Sequence, residues 1–366
     1  MTGRIIATYH VRAAAADIEA RAQGIAVEQS VEMPLAAIDE RSILSDIVGA
    51  VEEIQDRGDG HFTVRIGLAV ETVGEDGGQL LNMLFGNTSL HDDVALCDVE
   101  VPTPLAQAFG GPRHGIAGLR QRLGAPHRAM AGSALKPQGL PPVRLAALAE
   151  RFARGGLDFI KDDHGLADQA YSPYADRVPA CAAAIARGAA AAGHPTRYIP
   201  SLSGTVETMR TQIAIARAAG VDCVMLAPMV CGFATMQALV RDNPDMAFFA
   251  HPSLSGVARI GPDLLIGKLF RLMGADAVIF PNHGGRFGYS PETCSRLASF
   301  ARASDDGMQS ALPVPAGGMT MARTTEILDF YGPDTMLLIG GNLLMAREQI
   351  TAEAERFACA VAAHRF

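Results

Sequence analysis

From about residue 128 onward the chain repeats one unit: a short apolar run rich in Val, Ile, Leu and Phe, then a longer segment with helical spacing. This alternation predicts successive βα units forming a parallel sheet. Eight runs end near Lys136, Lys161, Ser203, Pro228, His251, Asn282, Gly317 and Gly340, about 29 residues apart on average, which is the spacing of a βα repeat. Helix starts are marked at Thr205 with Glu207, at Gly261-Pro262-Asp263, at Ser290-Pro291-Glu292 and at Thr320, where a side-chain oxygen or a proline suits the first turn. Gly220, Gly274 and Gly332 mark stops. Eight such units fit a (β/α)8 TIM barrel better than a doubly wound sheet, and no strand runs into G-x-G-x-x-G.

Ahead of the barrel, Ile5 to Arg12, Gly24 to Val31 and His61 to Val70 read as strands, and residues 42 to 55 as an amphipathic helix. These elements predict a small α+β domain. Pro102, Pro104, Gly110, Gly111 and Pro112 punctuate its end, which divides the chain into an amino-terminal domain at 1–110 and a barrel at 111–366.

Composition narrows the function without naming it. Apolar residues make up 49% of the chain, and the formal charge of -8 argues against a nucleic-acid or anionic-membrane surface. An anionic substrate would need a local pocket of cations and backbone amides. No stretch has the length of a membrane span. The start, Met1 to Ala7, lacks the apolar core of a signal peptide. Six cysteines without a C-x-x-C pair read as reduced thiols. Together these imply a cytoplasmic protein.

In a barrel of this kind the strand ends carry the chemistry. Lys136 is followed by Pro137, which keeps it on the rim. In Gly155 to His164 an apolar run ends in Lys161-Asp162-Asp163; Lys161 and Asp163 share one strand face and Asp162 takes the other. That pair is either a reaction centre or a buried ion pair. His251, closing a strand before Pro252, is placed to bind an oxyanion or relay a proton. Asn282 to Gly288, with Arg286 among glycines, has the composition of a lid over an anion. Gly317-Gly318 and Gly340-Gly341 end the seventh and eighth strands, where barrel enzymes commonly hold a phosphate on backbone amides.

Several phrases in one order resemble the large subunit of ribulose bisphosphate carboxylase: Gly111 to Ile116, Lys136-Pro137, Gly155 to Asp163, Asp176-Arg177, Ser203-Gly204-Thr205, Cys231-Gly232-Phe233, Arg241-Asp242-Asn243 and Leu312 to Gly318. The resemblance implies an α/β chain with an amino-terminal α+β (ferredoxin-like) domain and a carboxy-terminal (β/α)8 barrel. It also implies a homodimer with the active site at the subunit interface, where Asn87 and Glu28 would be supplied by the partner subunit. By motif, Lys161 matches the lysine that carbon dioxide carbamylates and that binds Mg2+ with Asp163 and a following glutamate. Lys136 matches a catalytic lysine, and His251 the family's catalytic histidine.

The departures carry as much information. His164 stands for the metal-binding glutamate, Gln138 for a second lysine, Pro252 for an arginine, Arg286 for the mobile-loop lysine and Ala316 for a serine. The groups that would hold a second phosphate are lost, while Gly317, Gly318, Gly340 and Gly341 remain. The resemblance is therefore to the non-carboxylating RuBisCO-like (form IV) proteins, acting on a substrate with one phosphate. The leading expectation is an isomerase or tautomerase of a phosphorylated ketose, with 5-methylthioribulose 1-phosphate in methylthioadenosine salvage as the best substrate. Catalytic roles fall to Lys136, Lys161, His251 and Arg286, and phosphate binding to the diglycines and Arg286. The alternatives are a 2,3-diketo-5-methylthiopentyl-1-phosphate enolase, a decarboxylase or hydrolase of a phosphorylated 3-oxo sugar acid, and a metabolite-binding regulator without catalysis. A divalent cation, Mg2+ or a softer ion using His164, is expected on Lys161, Asp163 and His164; a metal-free site is the remaining possibility.

Overall fold

Ile5, Ala7, Tyr9 and Val11 alternate with more exposed neighbours along β1 (Arg4–Arg12) and turn one face of it into a core. The computed structural model describes residues 3–125, 127–304 and 307–366; Met1 and Thr2, where the amino-terminal reading begins, lie outside the described residues. β1 pairs antiparallel with β3 (His61–Ala69) and β4 (Val94–Glu100), and β2 (Ala50–Gly58) takes the edge, in the order β2-β3-β1-β4. Helices Ile18–Glu28 and Gly77–Phe85 connect β1 to β2 and β3 to β4, giving the β-α-β-β-α-β succession of a ferredoxin-like domain.

Two expectations fail here. Gly24 to Val31 is not a strand: Ile18, Ala22, Ile25 and Ala26 repeat at helical spacing and are buried by a helix that runs through Glu28. Residues 42 to 55 are not a helix. A single π-turn at Ile43–Ile47 precedes β2, whose Glu, Gln and Arg side chains stay in water because an edge strand needs only one partner. Pairing with β3 overrides a composition that favours helix.

The eight expected barrel strands form: β5 (Met130–Leu135), β6 (Phe159–Asp162), β7 (Arg197–Ile199), β8 (Cys223–Leu226), β9 (Ala247–Ala250), β10 (Ala277–Pro281), β11 (Leu312–Ala316) and β12 (Met336–Leu338). They make two parallel arcs, β12-β5-β6-β7 and β11-β10-β9-β8. One seam is closed by Leu202 N donating to Met225 O at 2.7 Å. At the other, Pro313 and Pro315 occupy the positions of β11 that face away from β10, and proline has no N–H to offer β12. Contact there includes the Thr335 hydroxyl donating to Pro313 O at 3.1 Å.

Inside, Met130, Phe159, Ile199, Met225, Phe249, Ile279, Val314 and Met336 fill the barrel, and Ile116, Leu119 and Leu123 of helix Gly115–Leu123 plug its amino-terminal end. The opposite end is left open for function. Thr205 and Ser290 cap their helices as expected, accepting from Thr208 N and Thr293 N. Thr320 does not: its side chain makes no cap bond, and a 3-10 turn precedes the helix. All six cysteines are free thiols. Among the described residues no helix is long and apolar enough to cross a membrane.

Candidate active site

Alternation across the barrel wall decides which side chains meet. Phe159 points into the barrel and Ile160 out of it, so Lys161 and Asp163 line the mouth and Asp162 faces the helical layer. Behind the wall the buried Asp162 carboxylate accepts from Tyr198 Oη at 2.7 Å, Arg177 Nε at 3.2 Å and Ser201 N at 3.1 Å. Arg177 is fully buried. It also donates to Ser172 O at 2.6 Å and Ala167 O at 2.8 Å, fastening the loop after β6.

At the mouth Lys161 is only 4% exposed and donates through Nζ to the Asp162 carbonyl at 2.8 Å. Burial brings its ammonium down to about 8; the Lys136 charge adds to this and Asp163 opposes it. Lys136 Nζ is ion-paired with Asp163. The same carboxylate lies 3.5 Å from His164 Nδ1 and accepts from Gln138 Nε2 at 3.4 Å. Burial alone would raise Asp163, but its bonds with His164 and Lys136 and the charges of both lysines hold it well below the usual carboxylate range.

His251 stacks flat on His164, ring centroids 4.5 Å apart and planes 8° from parallel. Burial, then the charge of Lys161, pushes its pKa down to about 2, so the ring is neutral at physiological pH. Its Nδ1 lies 2.9 Å from Ser253 Oγ.

The other side of the mouth is bare backbone. Gly317, Gly318, Gly340 and Gly341 line the same cavity, of about 730 Å3, as Lys136, Lys161, Asp163, His164, His251 and Arg286. That volume suits a small-molecule ligand. A Cβ on Gly318 (φ +88°) would lie 3.1 Å from Arg286 N, and one on Gly285 would lie 2.2 Å from Gly317 O. Glycine therefore lets the lid backbone rest on the diglycine turn. The Arg286 guanidinium lies 4.9 Å from the centre of the Phe287 ring. Leu254, Ile279, Phe280 and Met319 make the rest of the lining largely apolar.

Asn87 and Glu28 do not line this cavity. Asn87 Nδ2 donates to Glu28 Oε1 at 2.9 Å and to Glu32 Oε1 at 3.0 Å, within the amino-terminal domain. As for a metal, Asp163 and His164 are the only acidic or imidazole donors of the expected trio, and no cluster of three His, Cys, Asp or Glu suited to an ion occurs among the described residues. With Lys161 as an amine the trio is incomplete; carbamate oxygens on Lys161 would complete a donor set for a divalent ion.

A parallel eight-stranded barrel gathers a pair of lysines, a neutral histidine and two diglycine turns at the mouth, where barrel enzymes keep their active sites. The sequence profile of the ribulose bisphosphate carboxylase large chain catalytic domain matches residues 115–364, and the chain belongs to that family, among its RuBisCO-like proteins. It is 58% identical over 363 residues to a Rhodospirillum rubrum protein named 5-methylthioribulose-1-phosphate isomerase, covering 99% of this chain and 97% of that one. Against a Geobacillus kaustophilus 2,3-diketo-5-methylthiopentyl-1-phosphate enolase it is 29% identical over 349 residues, 89% of this chain and 84% of the other. The crystal structure of a Rubisco-like protein from Rhodopseudomonas palustris superposes with a TM-score of 0.93 at 47% identity, covering all of both chains.

Sequence reading missed two features of the site. Tyr198 and Arg177 support Asp162 from other elements, and no motif links them. Ser253 lies two residues beyond His251, but its meaning depends on how the turn folds back.

Proposed function

We propose that this protein catalyses enolisation and proton transfer on a phosphorylated ketose with one phosphate, as a 5-methylthioribulose-1-phosphate isomerase. One observation carries the reading: Lys161, a buried amine brought down to about 8, shares a cavity with two diglycine turns. A base poised near neutral pH stands opposite backbone amides suited to a phosphate. The similarity to the Rhodospirillum rubrum isomerase supports the choice of substrate, and so does the largely apolar lining, which suits a thioether better than a second phosphate.

In this reading Gly317, Gly318, Gly340 and Gly341 hold the phosphate and Arg286 closes over it. Lys161 takes the proton beside the carbonyl, as an amine or through its carbamate. Lys136, kept close by Asp163, stabilises the charge that develops on oxygen. A divalent ion held by Asp163, His164 and a Lys161 carbamate would supply carbonyl polarisation when bound; full activity after exhaustive chelation would remove it from the reading. Carboxylation does not fit, because Arg286 replaces the loop lysine and Pro252 the arginine of the second phosphate site. The subunit arrangement we propose is a homodimer in which Asn87 and Glu28 approach the partner's barrel.

The test is proton NMR in deuterated water with a panel of phosphorylated ketoses and diketones. Deuterium entering next to the carbonyl of 5-methylthioribulose 1-phosphate, with isomer formed, is the expected result. Turnover of a 2,3-diketo phosphate alone would reassign the chain to the enolase class, which the Geobacillus kaustophilus relative represents. No exchange on any member of the panel would sink the enzyme reading.

A further inference from the structure

The turn after His251 assigns its proton. Pro252 has no N–H, so the first amide after the histidine is that of Ser253. That N–H points at His251 Nδ1 from 3.2 Å, and the Ser253 hydroxyl reaches the same nitrogen at 2.9 Å. A backbone N–H can only donate. Nδ1 must therefore present its lone pair, because a proton there would face the amide hydrogen head-on. In a neutral imidazole the remaining proton then sits on Nε2. Nε2 has no partner among the described residues, and the ring lines the cavity beside Lys136 and Lys161.

We propose that Ser253 is a positioning residue that holds His251 as the neutral Nε2–H tautomer, so that His251 meets the substrate as a hydrogen-bond donor to the oxygen that becomes the enolate, not as the base. This rests on the proposed proton-transfer reading. In the step, the C–H bond breaks and its proton goes to Lys161. The C–H electron pair becomes the C=C bond, and the carbonyl π pair moves onto oxygen. His251 stabilises that oxygen through Nε2–H and keeps its own proton. Lysine then returns the proton to the former carbonyl carbon, the C=C pair forming that C–H bond, while the hydroxyl on the carbon first deprotonated passes its proton to the charged oxygen and its O–H pair closes the new carbonyl.

The tautomer is read directly from a two-bond 15N–1H correlation spectrum of the full chain labelled on histidine, with the His251 signal assigned by its absence in His251→Gln. An unprotonated Nδ1 and a protonated Nε2 near neutral pH are expected. An Nδ1–H or imidazolium pattern would overturn the proposal. Ser253→Pro, which removes both the N–H and the hydroxyl from Nδ1, should admit the other tautomer, whereas Ser253→Ala keeps the N–H and the tautomer and should lower kcat roughly threefold to tenfold, the worth of one hydrogen bond, with KM little changed and Ser253→Thr restoring it. An unchanged spectrum in Ser253→Pro with an unchanged kcat in Ser253→Ala would overturn it too. His251→Ala should lose about 10²–10³ in kcat. His251→Gln keeps a donor at the Nε2 position but cannot accept the proton as a base, and it should retain at least about tenfold more activity than alanine; an equal loss in the two would identify a base. Because the spectrum needs no substrate, its failure is distinguishable from a failure of deuterium exchange, which would sink the reaction and leave the tautomer standing.

Discussion

The two sides of the cavity are built on opposite principles. On one, Lys136, Lys161, Asp163, His164 and His251 crowd titratable side chains onto one rim, with Lys161 and Asp163 buried and His164 exposed. On the other, Gly317, Gly318, Gly340 and Gly341 remove side chains so that backbone can come close. Burial retunes acids and bases by penalising charge, which is what proton transfer requires. A phosphate asks for N–H groups at close approach, which any Cβ would obstruct. The first side consequently depends on the structure behind it, and the second chiefly on its own turns.

Substitutions on the two sides should therefore fail in different ways. Lys161→Ala should lower kcat by about 10²–10⁴ while inorganic phosphate still binds; loss of both functions would show that the sides are not separable. Behind the wall, Arg177→Met leaves the buried Asp162 carboxylate without its charge partner. A cost of about 3–5 kcal/mol in urea unfolding is expected, and no loss would mean that Asp162 carries no charge. Gly318→Ala demands a side chain at φ +88° against the lid and should raise KM about 10- to 100-fold through lost phosphate contacts, with kcat less affected. A pure kcat effect would place the phosphate elsewhere.

The smallest effect is in pH. The reactive amine of Lys161 must be neutral, and its pKa is lowered to about 8. kcat/KM should thus rise as pH passes upward through about 8 and fall below it as the ammonium forms. An inflection confined to the acidic range would point to a carboxylate instead.

Much of this arrangement can be read in the chain before any fold is known. Eight apolar runs at βα spacing specify the barrel, because a strand buried on both faces must be apolar throughout and its crossover helix needs a minimum length. The strand-end residues follow from the same count, which is why Lys136, Lys161, His251 and the diglycines all emerge at one mouth. The amino-terminal sheet was less legible. Residues 42 to 55 carry helix-favouring side chains, and only pairing with β3 makes the second half of that stretch a strand. Gly24 to Val31 carries the β-branched Ile25, Val27 and Val31, a strand-like composition that the buried helical spacing of Ile18, Ala22 and Ile25 outweighs.

What the sequence determined by itself was periodicity and the identity of the groups at each strand end, since both are properties of neighbours along the chain. What the tertiary structure decided was how those groups are charged and held. The lowered Lys161, the ion pair of Lys136 with Asp163, the stacked His164 and His251 and the Arg177–Asp162 support all arise between elements far apart in sequence. Electrostatics and hydrogen bonding act through space and depend on burial, and burial is set only when the barrel closes.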